Sequence, residues 1–140
     1  MKKYELFREY TRCLERKLDR LNASECCSCG ITTAQCHALV EVGRRKDLSL
    51  KELAEILALD KSTVSKTIDD LYRKGLITRE PLESDRRTIK LNLTHEGLHH
   101  FKNIENDMNR KFGEMFNRIS GNKQDEILAA LKVYIDSFDK

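Results

Sequence analysis

The feature that most restricts this chain is a change of period. From Ile89 to Thr94, apolar Ile89, Leu91 and Leu93 alternate with Lys90, Asn92 and Thr94, the two-residue repeat of a strand with one buried face. Elsewhere apolar residues return every three or four positions, the repeat of a helix. A lone strand leaves its backbone groups unpaired, so a partner is required, and Thr78 to Leu82 is the nearest suitable run. Between the two lies Glu83-Ser84-Asp85-Arg86-Arg87-Thr88, polar and without glycine, which predicts a hairpin with a projecting tip. The chain must set one small hairpin among helices.

The helices follow from spacing and caps. Phe7, Tyr10, Leu14, Leu18 and Leu21 form one apolar stripe over residues 4 to 21, and Asn22-Ala23-Ser24-Glu25 reads as its end. Thr32-Thr33-Ala34-Gln35 has the form of a capping box opening a second helix that runs to about Gly43. Leu50, Leu53, Ala54 and Leu57 predict a third helix, with Ser49 as its cap. After the short break Ala58-Leu59-Asp60, Val64, Ile68, Leu71 and Tyr72 mark the inward side of a helix from Lys61 to Lys74, stopped by Gly75. Thr94-His95-Glu96-Gly97 starts a long helix carrying Leu98, Phe101, Ile104, Met108, Phe112, Met115 and Ile119. A last helix beyond Gly121 carries Ile127, Leu128, Leu131, Tyr134, Ile135 and Phe138, a band too apolar for a free surface, which predicts burial against a partner.

Composition narrows the class further. One proline, six glycines and no tryptophan in 140 residues, with 39% hydrophobic and 35% charged residues, suit a single helical domain and disfavour sandwiches, barrels and long disordered linkers. No apolar run reaches the length that spans a membrane, and Met1-Lys2-Lys3-Tyr4 does not begin a signal sequence. A cytoplasmic protein without membrane contact is expected, with its five cysteines reduced. The net charge of +3 says little about a nucleic-acid partner; the placement of the cations is what counts.

That placement is suggestive. With Val64, Ile68, Leu71 and Tyr72 inward, Ser62, Lys66, Asp69, Asp70 and Arg73 face outward. Lys61, Ser62, Thr63, Ser65 and Lys66 are small or basic and gather at the helix start, where reading helices meet base edges and the dipole favours phosphate. Asp69 and Asp70 would repel phosphate and are expected to point away. At the hairpin tip, Arg86 and Arg87 suit a minor groove or flanking phosphates, with Asp85 able to orient one of them. Each feature alone has an ordinary explanation, as a helix cap or as solvated loop charges; their order along the chain gives them weight.

In that order (helix, turn, helix, hairpin, helix) the chain resembles the MarR family of bacterial regulators over essentially its whole length. The residues carrying the resemblance are Ser49-Leu50-Lys51-Glu52-Leu53-Ala54, Ser62-Thr63-Val64-Ser65-Lys66 to Leu71, Lys74-Gly75-Leu76-Ile77, and Asp85-Arg86-Arg87 before Leu91-Asn92-Leu93-Thr94-His95-Glu96-Gly97. The resemblance implies a mainly α fold: a winged helix-turn-helix at residues 48 to 97 with a small β-hairpin wing, an N-terminal dimerisation helix, cysteine segment and second helix at 1 to 47, and C-terminal dimerisation helices at 98 to 140. It implies a homodimer on double-stranded DNA with a pseudo-palindromic operator, recognition helices in successive major grooves and wing arginines in minor grooves. A repressor released by a ligand or oxidant is the expectation.

Cys26-Cys27-Ser28-Cys29-Gly30 and Cys36-His37 depart from the usual pattern of the family, in a zone that borders the effector pocket of similar proteins. Thiolates there could hold a thiophilic ion such as zinc, copper(I) or arsenite, through Cys26 or Cys27 with Cys29 and Cys36, or with Cys13 from either subunit. Alternatively, Cys29 ahead of the Thr32 cap could have a depressed pKa and form a disulfide on oxidation, an organic ligand could supply the signal, or the thiols could simply be buried small residues. His37 is expected to pair with Glu41 one turn on. An enzyme using a thiol nucleophile lacks support, since no glycine-rich phosphate loop or βαβ setting accompanies the cysteines. A winged-helix module that binds only protein remains a third class, separable by the salt dependence of duplex binding.

Overall fold

A computed structural model describes residues 1–85 and 87–139, without the side chains of residues 23–29. It contains α1 (Lys3–Cys29), α2 (Thr33–Arg44), β1 (Leu48–Ser49), α3 (Leu50–Leu57), α4 (Lys61–Arg73), β2 (Ile77–Pro81), β3 (Ile89–Leu93), α5 (His95–Asn117) and α6 (Gly121–Asp136). The mainly helical architecture with a small hairpin is as expected. The chain divides into two compact units, Met1–Ile104 and Glu105–Lys140. No described helix is long and apolar enough to cross a membrane.

The helix starts are built as the sequence suggests. Thr32 Oγ1 accepts from the Gln35 amide at 3.1 Å while Gln35 Oε1 accepts from the Thr32 amide at 3.2 Å. Ser49 and Glu52 repeat this reciprocal box at the head of α3, at 3.0 and 3.2 Å. Each pair satisfies two amides that the helix itself leaves open. Ala58 closes α3 in the left-handed region at φ 55°, and Gly75 ends the α4 segment at φ +77°, a conformation that glycine adopts without steric cost.

The core lies between these helices and the sheet. Leu39, Leu53, Val64, Ile68, Leu71, Ile77 and Leu91 are fully buried, so α2, α3, α4 and the hairpin share one apolar interior. The sheet order is β1-β3-β2, all antiparallel, with Ile77 opposite Leu93, Arg79 opposite Leu91 and Pro81 opposite Ile89. β1 pairs Leu48 with Leu91 on the other edge of β3, a strand too short to show a period in sequence. The hairpin strand expected at Thr78 begins one residue earlier, at Ile77. The Leu82 amide continues the pairing by donating to the Thr88 carbonyl at 2.9 Å.

Two local expectations are corrected. The first helix does not end at Asn22 but continues to Cys29; no glycine or proline interrupts it before Gly30, whose φ of +73° is the first left-handed residue. The cysteine segment therefore forms the last turns of α1 and is not a linker. Tyr72 is not inward: it is exposed, with the Arg79 guanidinium 4.0 Å from its ring centroid, a cation–π contact that uses the ring outside the core.

Candidate nucleic-acid interface

The exposed start of α4 is organised by Asp60. Its carboxylate accepts from the Thr63 amide at 3.2 Å and the Thr63 hydroxyl at 2.6 Å, and it also accepts the Ser62 hydroxyl. These bonds, the Ser62 hydroxyl first and Thr63 next, favour the charged form and hold the Asp60 pKa at about 2 instead of an ordinary 3.8. Its negative charge also complements the helix dipole. Lys61, Ser62, Thr63 and Lys66 are exposed on the same helix start, and Ser65 is half-buried. Arg73, the remaining cation expected on this face, lies twelve residues beyond Lys61, roughly 18 Å along the axis at 1.5 Å per residue, and sits 3.7 Å from Asp70.

The two acidic residues expected to point away are both ion-paired. Asp69 is ion-paired with Arg79 of β2, and Asp70 with Arg73. Their charge is thus offset by neighbouring guanidinium groups before any ligand arrives, which lowers their repulsion toward phosphate.

A cleft of about 200 Å³ separates the start of α4 from the wing, lined by Ser49, Lys51, Lys61, Arg87, Thr88 and Ile89 among others. It brings together cations from three elements. Lys61 and Arg87 were expected in the interface; Lys51 was not, because only the packing of α3 under the wing brings it there. At the tip, Asp85 Oδ1 accepts from the Arg87 amide at 3.0 Å and Oδ2 from the Thr88 hydroxyl at 3.2 Å, while the Thr88 amide donates to the Asp85 carbonyl at 3.0 Å. Asp85 positions Arg87 through its backbone by this side-chain turn. Arg86 lies outside the described residues.

Of the thiol segment, the side chains of Cys26, Cys27 and Cys29 also lie outside those described. Cys13 and Cys36 are half-buried and His37 is exposed. The expected partner of His37 is taken, since Glu41 is ion-paired with Arg45. Among the described residues, no three His, Cys, Asp or Glu side chains converge on one point. The sequence reading missed Lys74, whose ammonium donates to the Gly30 carbonyl at 3.2 Å and to Gln35 Oε1 at 2.8 Å. It ties the end of α4 to the joint between α1 and α2, one residue past Cys29.

Comparison with known proteins places this arrangement. A family model described as MarR matches residues 31–89, which take in both helices of the reading motif and most of the hairpin. The chain is 33% identical over 94 residues to the organic hydroperoxide resistance transcriptional regulator of Bacillus subtilis, an alignment covering 67% of this chain and 58% of that protein. It thus spans less than two thirds of that relative's length. Among solved structures it is similar to Streptococcus pneumoniae FabT in complex with DNA, at 19% identity, 97% coverage of both chains and a TM-score of 0.85. It is also similar to an S. aureus MepR–DNA complex, at 20% identity, 94% and 97% coverage and a TM-score of 0.83. On the family-model match, the 33% identity and the shared fold, the chain belongs to the MarR family of winged helix-turn-helix proteins.

Proposed function

We propose that this protein is a transcriptional regulator, acting as a repressor, that binds a pseudo-palindromic duplex operator as a homodimer. The observation that carries the reading is the cleft where Lys51, Lys61 and Arg87 meet beside the exposed start of α4. Three cations from α3, α4 and the wing suit a phosphate backbone running between the reading helix and the hairpin, while Ser62, Thr63, Ser65 and Lys66 address base edges. The relatives titled as transcriptional regulator and as DNA complexes support this use of the same fold. Duplex affinity measured against salt tests it. Each phosphate contact releases counterions, so Lys51→Ala, Lys61→Ala and Arg87→Ala should each flatten the log–log slope by roughly 1. Slopes unchanged in all three variants, or duplex binding insensitive to salt, would defeat the assignment.

The signal is proposed to act at the end of α1 through Cys26, Cys27 and Cys29, as an oxidant or as a thiophilic ion such as zinc, copper(I) or arsenite. The lysine link supports this: the Lys74 ammonium on the Gly30 carbonyl gives a change at the end of α1 a direct route to α4. The relative's role in organic hydroperoxide resistance favours the oxidant. Replacing Cys26, Cys27 and Cys29 by serine should leave operator affinity within about twofold, well under the tenfold that 1.4 kcal/mol represents, and abolish release by hydroperoxide, arsenite or zinc. Release equal to that of the unaltered protein would remove these thiols from the mechanism.

A further inference from the structure

A hydroxyl is ambivalent in the major groove. Serine and threonine both donate and accept, so they meet either the amino group of adenine and cytosine or the keto oxygen of guanine and thymine. At the start of α4 this freedom is removed. An ionised carboxylate can only accept, so in the contacts of Ser62 and Thr63 with Asp60 the protons must come from the hydroxyls. What each oxygen then has left to offer is its lone pairs. The carboxylate also repels phosphate, which suits this helix start to base edges, while Lys51, Lys61 and Arg87 line the cleft beside it. An aspartate is ionised at neutral pH, and the bonds that lower the Asp60 pKa to about 2 carry this arrangement into mild acid as well.

We propose that Asp60 is a positioning residue for sequence specificity: by taking the hydroxyl protons of Ser62 and Thr63, it makes them acceptors that select, on the strand they face, a base presenting an amino group (adenine N6 or cytosine N4) over one presenting a keto oxygen (guanine O6 or thymine O4). The proposal rests on the duplex-reading function above. It separates a specificity role from the capping role that Asp60 also has, because a cap requires only an acceptor for the Thr63 amide, whereas selection requires a group that cannot donate in return.

Asp60→Ser distinguishes the two, since serine caps helices about as well as aspartate but can donate as well as accept. Full-length protein and variant are each taken through binding-site selection from a random duplex library, followed by affinities for duplexes differing at one base pair. The unaltered protein should prefer an amino-bearing base at one or more half-site positions by roughly tenfold, the scale of a specific base contact. Asp60→Ser should melt within a few degrees of it, keep its salt-dependent binding, and discriminate at those positions by less than about twofold. A variant with the unaltered preference, or an unaltered protein that prefers keto bases there, overturns the proposal. Absence of salt-dependent binding by the unaltered protein removes the duplex reading and this inference with it. If Asp60→Ser fails to fold, Ser62→Ala and Thr63→Val serve instead, since both keep the carboxylate and its backbone bond; at least one must erase the amino preference, and its survival in both overturns the proposal.

Discussion

The reading motif and the C-terminal helix are both rich in apolar residues but use them in opposite ways. In the segment from α2 to β3, Leu39, Leu53, Leu71 and Leu91 are completely buried, and the polar groups around them are capped or paired. In α6 no residue is buried; Leu128, Val133 and Ile135 are 55%, 71% and 61% exposed, and Phe138 just beyond the helix is 74% exposed. Full burial of such a side chain contributes about 1.5–3 kcal/mol, so the centre has already gained what α6 has yet to gain. The centre therefore owes its stability to its own packing, whereas in the homodimer proposed above α6 would obtain its share from the second copy. The two regions should respond differently to mutation and to protein concentration.

The sharpest probe of the centre is Gly97. A Cβ at this position would collide with the Leu76 carbonyl oxygen and lie 3.0 Å from its carbon, inside contact distance. Neither side can retreat freely. The Leu76 carbonyl accepts from the Thr94 amide at 3.1 Å, while the Thr94 hydroxyl donates to the Gly75 carbonyl at 2.7 Å and accepts from the Gly97 amide at 3.0 Å. Gly97→Ala should cost on the order of 3 kcal/mol or more, the upper range for overpacking, read as a lowered urea midpoint that is the same at every protein concentration. A loss under about 1 kcal/mol, on the scale of a tolerated core swap, would show that the turn at Leu76 yields, and the centre would be less rigid than its packing suggests.

This contrast was partly legible in the residues. The stripes Leu50–Leu57 and Val64–Leu71, the alternation at Ile89–Leu93, the Thr32–Gln35 capping box and the Ser49 cap each come from local rules, so α2, α3, α4 and the hairpin could be placed before any packing was known. The apolar band of α6 was equally visible. What escaped was tertiary or depended on weak local signals. β1 has two residues and exists because β3 offers a free edge. Lys51 reaches the cleft beside α4 because α3 packs against the hairpin, and Lys74 finds its acceptor 44 residues away. α1 outran its expected end because asparagine and serine weaken a helix without stopping it, while alanine and glutamate between them favour one. Asp60 carried a usable signal, an aspartate three residues before Thr63 at the head of an apolar-periodic run, but the short break around it read as a turn and not as a cap.

The smaller expected effect lies at α6 and bears on the other half of the comparison. Leu128 and Ile135 lie seven residues apart, about two turns, and so fall on one side of the helix. Both are already in contact with solvent, so placing glutamate at both should cost an isolated chain little. If a second copy covers them, the double variant Leu128→Glu, Ile135→Glu buries unpaired charge at that contact and should weaken association by roughly 2 kcal/mol or more, the scale of an interface hot spot. Sedimentation should then show a dimer for the unaltered protein and monomer for the variant, and the melting midpoint should rise with concentration only in the former. Affinity for a single half-site should be retained, while affinity for the paired site should fall, because the second reading head is no longer delivered with the first. A monomeric unaltered protein with a concentration-independent midpoint would break the comparison at its root: the apolar face of α6 would then have no second copy to cover it, and the two-headed operator would go with it.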